Sequence, residues 1–263
     1  MAYSCGDIGT YLAGKSYPGR GILLGLSPSG GKAMAAYFIM GRSANSRNRI
    51  FRFVGGDQEK GLETAPFDSS RLQDPTLIIY RAAFKSADKK AYIVTNGNQT
   101  DSIYDALAAG LSFEDALQSR CFEEDGPNFT PRISGLLEFP RTGTAVATSV
   151  KPGEAALNPE PPLRYRLSVL KAEEAEGRRC RRSFYRFEGL PGRGHIVHTY
   201  VDDGDPLQPY EGEPRAVFFP EREEDLLETI WANLNEKNRI SLYVYSCNLT
   251  TGEERHLLRN RHC

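Results

Sequence analysis

The chain has 263 residues, 40% of them hydrophobic and 25% charged, an ordinary globular balance with enough material for a large core. Its 33 Lys and Arg against 34 Asp and Glu leave a formal net charge of −1. That excludes a general binder of nucleic-acid polymers, which needs a strong basic surplus, but leaves room for a local basic site holding one phosphate.

Residues 1–14 show no basic segment followed by an apolar run, and no stretch approaches the roughly 20 apolar residues of a membrane helix, so a cytoplasmic chain without a membrane partner is expected. The cysteines, at 5, 121, 180, 247 and 263, are odd in number and form no C-x-x-C pair. That pattern fits reduced thiols better than a disulfide framework or a zinc ribbon.

In chain order, residues 21–26 and 32–40 read as a β-hairpin around the Ser27-Pro-Ser-Gly-Gly31 turn. Residues 41–49 are polar and basic, and an alternating strand resumes at 50–54. Strands are expected at 76–84 and 91–95, then a helix over 101–111 with Asp101 as its cap and Ile103, Leu107 and Leu111 on one stripe. A second helix begins at 112–117, where Ser112 and Asp115 form a capping-box pattern. Strands follow at 134–139 and 144–150. Four prolines mark 151–162 as a connection between two halves or a long surface loop. The second half alternates at 163–170, is charged and loop-like at 173–182, and reads as strand at 184–187, 195–201 and 240–247. A helix over 220–235 carries Leu226, Leu227, Ile230 and Leu234 on one stripe. Strand pairs joined by hairpins, with a few helices between them, predict antiparallel sheets covered by helices, an α+β class, in a single domain over 1–263.

Four clusters could carry chemistry. Gly41-Arg-Ser-Ala-Asn-Ser-Arg-Asn-Arg49 brings together planar bidentate donors and hydroxyls, which suit a phosphate dianion, although the same composition suits a solvated loop. Thr95-Asn-Gly-Asn-Gln-Thr-Asp101 joins a strand to a helix and reads first as a structural turn. Gly126-Pro-Asn-Phe-Thr-Pro-Arg-Ile-Ser-Gly135 reads as a rigid loop able to offer Asn128 and Thr130 to a ribose or base. In Gly192-Arg-Gly-His-Ile-Val-His-Thr-Tyr200 and the Asp202 to Asp205 turn beyond it, His195 and His198 are i, i+3 on a strand and so face opposite sides. No metal site is expected there. The functional reading instead has His198 or Tyr200 facing a pocket near Asp202 or Asp205.

In order along the chain, Tyr17-Pro-Gly-Arg-Gly21, Ala36-Tyr-Phe-Ile-Met-Gly-Arg-Ser-Ala-Asn-Ser-Arg-Asn-Arg49, Val94-Thr-Asn-Gly97, Pro127-Asn-Phe-Thr-Pro-Arg-Ile-Ser134, Gly194-His-Ile-Val-His-Thr-Tyr200 with Gly204-Asp-Pro206 and Gly212-Glu-Pro214, and Trp231-Ala-Asn-Leu-Asn-Glu-Lys-Asn238 together resemble the archaeal-type IMP cyclohydrolase family, which also has bacterial members. The resemblance runs from about residue 17 to 245. It implies a four-layer αββα sandwich similar to N-terminal nucleophile hydrolases, without their N-terminal nucleophile. It also implies a small nucleotide substrate, 5-formamidoimidazole-4-carboxamide ribotide, closed to IMP with loss of water and with no cofactor.

That reaction needs a base for the attacking carboxamide, donors for the oxyanion on the formyl oxygen, and an acid to release it as water. Candidates for substrate binding are Arg42, Ser43, Ser46, Arg47 and Arg49 for the phosphate, with Tyr37, Asn96 and Asn128 for the ring and ribose. Candidates for catalysis are His198, Tyr200, Asp202 and Asp205 for proton transfer and Arg132 for the oxyanion. A strong rise in the Michaelis constant is expected on Arg47→Ala if Arg47 holds the phosphate. Two alternatives stay open: a non-catalytic purine-nucleotide-binding module, and an amidohydrolase on the same fold, which would need a processed N-terminal nucleophile. Closed homo-oligomers are common, so a homo-oligomer also stays open.

Overall fold

A computed structural model describes residues 5–56, 60–71, 78–139, 163–173 and 179–262. The expected strand at 144–150 and the Pro-rich segment at 151–162 lie outside the described residues. In chain order the elements are α1 (Ile8–Ala13), β1 (Arg20–Leu26), β2 (Lys32–Met40), α2 (Ala44–Arg47), β3 (Ile50–Val54), β4 (Gly61–Ala65), β5 (Tyr80–Lys85), β6 (Ala91–Thr95), α3 (Gln99–Ala108), α4 (Phe113–Leu117), β7 (Arg132–Glu138), β8 (Arg164–Ala172), β9 (Cys180–Glu188), β10 (Arg193–His198), β11 (Arg215–Phe218), α5 (Glu223–Asn233), β12 (Arg239–Asn248) and β13 (Glu254–Asn260).

The strands form two antiparallel sheets. One runs β11-β10-β1-β2-β12-β13 and the other β3-β4-β5-β6-β7-β8-β9. The fold class is α+β, and the halves of the chain are interleaved, since β10 pairs with β1 and β12 with β2. Strand periodicity decides which side chains go where. On β2, Ala33, Ala35, Tyr37 and Ile39 face the second sheet, while Met34, Ala36, Phe38 and Met40 face the helices α1 and α5. On β6, Tyr92 and Val94 point inward, and Ala91 and Ile93 meet α3 and α4. Three apolar layers therefore separate helix, sheet, sheet and helix, and strands buried on both faces read as continuous apolar runs.

The layer between the sheets is rich in tyrosine, and a buried phenol needs a partner. Tyr37 on β2 meets Tyr80 on β5 at 2.9 Å between hydroxyls, and Tyr92 on β6 meets Tyr243 on β12 at 2.5 Å. Tyr165 on β8 bonds His195 Nδ1 on β10 at 2.7 Å. These pairs tie the sheets together and also fix their mutual register.

Local expectations meet several corrections. The capping box at Ser112 and Asp115 is present, but α3 starts at Gln99 after Asn98, and Asp101 lies in its first turn paired with Arg81. The polar segment after β2 contains a single helical turn, α2, capped by a reciprocal Ser43–Ser46 box. β4, β11 and β13 are strands that patterning alone did not reveal. In β13 the charged Glu254, Arg255 and Arg259 interrupt the apolar alternation, because the strand lies at a sheet edge.

Candidate functional site

At one end of the sandwich the chain opens into a cavity of about 640 Å³, within the range of small-molecule pockets. Its walls come from four segments. The turn into β1 supplies Tyr17, Gly19 and Arg20. The end of β2 and the α2 turn supply Met40, Arg42, Ser43, Asn45, Ser46 and Arg49. The segment before β7 supplies Glu123, Asp125, Asn128 and Thr130, and the loop after β10 supplies Tyr200, Asp205 and Leu207. Gly19 is required at its place. Its φ is +77°, and a Cβ there would stand 2.3 Å from Thr199 Oγ1 and 2.6 Å from the Tyr200 ring.

A buried ion pair and a second buried arginine set the electrostatics. Arg20 Nη1 donates to Glu123 Oε1 at 2.9 Å, and both side chains are nearly buried, at 11% and 4% exposure. Burial is the largest single influence on Arg20 and opposes its charge, but Glu123 together with the surrounding Tyr80, Tyr37 and Tyr200 outweighs it and raises the guanidinium pKa. Arg49 is 8% exposed, and its Nε has no hydrogen-bond partner. Burial and the nearby Arg20 charge both push its pKa down. A guanidinium nonetheless stays protonated in proteins, so Arg49 holds a buried positive charge without a carboxylate partner among the described residues. Asn45 Oδ1 is likewise a buried acceptor with no donor.

The candidates from sequence fall into two groups. Arg42, Ser43, Ser46, Arg49, Asn128, Tyr200 and Asp205 line the cavity together. Arg42 is held at the rim by Asp203 at 2.5 Å and Gly204 O at 2.7 Å, and its guanidinium lies over the Tyr17 ring. Asn128 Oδ1 accepts from Leu207 N at 3.2 Å. The hydroxyls of Ser43 and Ser46 are engaged in the α2 capping box.

Tyr37, Arg47, Asn96, Arg132, His198 and Asp202 do not line the cavity. Tyr37 is in the inter-sheet core. Arg47 turns back to Gly41 O at 3.1 Å and Asn238 Oδ1 at 3.3 Å. Asn96 ties the turn before α3 to Pro131 O and Ile133 N, and Arg132 bonds Asn98 and Gln99 in the same turn. Asp202 accepts from the backbone of Ser16, Tyr17 and Asp203. Burial alone would raise its pKa, but these donors outweigh it and hold it below the ordinary carboxyl value.

His198 packs toward α1, on the sheet face opposite His195, as the alternation requires. Its Nδ1 lies 2.7 Å from Tyr200 O, which can only accept, so Nδ1 carries the proton; Nε2 then accepts from the Tyr11 hydroxyl at 2.6 Å. Burial drops the His198 pKa to about 3. Burial also drops those of His195 and His256 to about 4. An unfolded histidine takes a proton near pH 6.5. Between about pH 4 and 6.5 the unfolded chain therefore binds more protons, so stability should rise with pH through that window and fall on acidification. Urea unfolding at pH 5 and pH 7 checks this. Equal stabilities would show that these rings titrate normally in the fold.

Sequence reasoning did not single out Arg20, Glu123, Asp125 and Asn45 as site residues. Arg20 was detectable as a charge at the head of an otherwise apolar strand. Glu123 stands in the acidic run Glu123-Glu-Asp125, where only the fold distinguishes the buried Glu123 from exposed Glu124.

Fold and site together define an α+β two-sheet protein with a polar end cavity lined by three arginines and three carboxylates. The chain belongs to the IMP cyclohydrolase-like family, whose model matches residues 17–252 and so takes in every residue of the cavity wall. Comparison with curated proteins and with solved structures found no match. Among the described residues no helix is long and apolar enough to cross a membrane.

Proposed function

We propose that the cavity binds 5-formamidoimidazole-4-carboxamide ribotide and closes its ring to IMP, a step of purine biosynthesis in the cytoplasm. Family membership supports the reaction class. The observation that carries the reading is a buried arginine whose Nε has no hydrogen-bond partner among the described residues, in the same cavity as a buried Arg–Glu pair and a phenol. Such a pocket has a charge to satisfy, and a phosphate monoester satisfies it.

In this reading Arg49 is the phosphate anchor, and Asn45 Oδ1 takes a ribose hydroxyl. Phosphate binding holds the ring in place away from the reacting atoms. Attacking carboxamide and formyl carbon share one ring, so the protein's main entropic task is to select the rotamer that brings them together. Arg20, oriented by Glu123, donates to the formyl oxygen as negative charge develops there, and fixed donors in a site shielded from water are effective at that task. Tyr200 stands at the wall as the proton-transfer group.

The test is to mix purified protein with the formylated ribotide and follow IMP by its ultraviolet spectrum. Turnover well above the uncatalysed rate is expected. Tight IMP binding with no turnover would replace the enzyme by a nucleotide-binding module.

A further inference from the structure

The polar groups beside Tyr200 form a chain whose hydrogen-bond direction can be worked out. Thr130 Oγ1 contacts both the Tyr200 hydroxyl and Asp125 Oδ2, while Thr130 N donates to Asp125 Oδ1 at 2.6 Å. An ionised carboxylate only accepts, so the Thr130 hydroxyl must donate to Asp125. Its oxygen must then accept from the Tyr200 O–H. The phenol proton is thus directed away from the cavity, and the phenol oxygen offers only lone pairs to a bound ligand. All three residues line the cavity wall; Tyr200 and Thr130 are buried at 5% and 3% exposure, and Asp125 is partly exposed.

We infer that Tyr200, Thr130 and Asp125 form a proton relay that removes the proton from the attacking carboxamide. This rests on the ring-closure reading above. As the carboxamide nitrogen bonds to the formyl carbon, its proton passes to the Tyr200 oxygen. The Tyr200 proton passes to Thr130 Oγ1, and the Thr130 proton passes to Asp125. The formyl C=O π pair moves onto oxygen, so the charge lost by Asp125 reappears as the oxyanion beside Arg20. Returning the proton along the same path, together with the proton on the formamido nitrogen, converts that oxygen to water as the ring C=N bond forms. Atoms and charge balance, and Asp125 ends as it began.

A relay also explains how a buried phenol can serve. Burial raises the Tyr200 pKa, so a free phenolate is disfavoured, whereas a relay never ionises it. Tyr200 touches the substrate in this scheme, and Thr130 and Asp125 act through it.

Thr130→Val removes the hydroxyl at nearly constant volume. It should lower kcat about 100-fold, the scale of general-base contributions, with KM changed little. Thr130→Ser, which keeps the hydroxyl, should retain most of kcat. Because the three act as a unit, Thr130→Val/Asp125→Asn should be no slower than the worse single variant. Undiminished kcat in Thr130→Val, or an equal loss in Thr130→Ser, overturns the relay while leaving ring closure standing, and so do multiplicative losses in the double variant. A wild-type protein without turnover overturns both together.

Discussion

Arg20→Met is expected to lower stability by about 3–5 kcal/mol, because it leaves the Glu123 carboxylate buried and unpaired. For a chain of this size that is a fall of roughly 10 °C in Tm. Adding Glu123→Leu should recover most of the loss, since replacing both members of a buried ion pair by packed apolar groups is often neutral. Activity should not recover. Removing one oxyanion donor slows turnover by about 100- to 1000-fold, and the double variant lacks both the proposed donor and the group proposed to aim it. Thermal melts and steady-state kinetics on both variants separate the two effects. A double variant as unstable as Arg20→Met would trace the destabilisation to lost packing. A double variant that still turns over would remove the pair from the reaction.

The second large effect has the opposite sign for stability. Arg49 holds its charge in the cavity with Nε unpartnered, and burying such a group is costly. Arg49→Met should therefore raise stability, by about 1 kcal/mol or more, while raising KM for the ribotide roughly 100-fold. That factor corresponds to about 2.8 kcal/mol, within the range for losing one partner of a buried charge pair. Arg47→Met should change KM by less than about threefold, since its guanidinium turns away to Gly41 and Asn238 and only an exposed charge is lost. The pair of variants isolates position from composition, because both arginines lie in one nine-residue cluster. Equal KM changes at 47 and 49 would mean that the loop as a whole attracts the substrate. A destabilised Arg49→Met would mean that its charge is satisfied in the free protein.

Much of the fold was legible because its strands are long and end in strong turn signals. The β1–β2 hairpin follows from an apolar run, Pro28 with two glycines, and a second apolar run. Helix α5 follows from the Leu226, Leu227 and Ile230 stripe, and α4 from its Ser112–Asp115 box. The edge strand β13 was hidden because an edge strand takes charged residues and loses its alternation, and β11 because it has only four residues in which to show a period.

The cavity was legible as a neighbourhood and not as a list. Alternation on β10 correctly separates His195 from His198, but the strand ends at His198 and the chain bends, so the His198 ring packs behind the site while the Tyr200 hydroxyl reaches it. The 41–49 cluster contains the proposed anchor Arg49, yet composition treats Arg42, Arg47 and Arg49 alike. Arg20 and Glu123 are 103 residues apart and meet only because β1 and the segment before β7 open at the same end of the sandwich.

By itself, then, the amino-acid sequence determined what its long, strongly patterned segments become and which family the ordered motifs resemble, because period and turn chemistry are local. Tertiary structure alone decided which polar groups share one cavity, which buried guanidinium nitrogen has no partner among the described residues, and which hydroxyl and carboxylate stand beside Tyr200. Those properties depend on burial and on contacts between distant segments, and no local pattern encodes them.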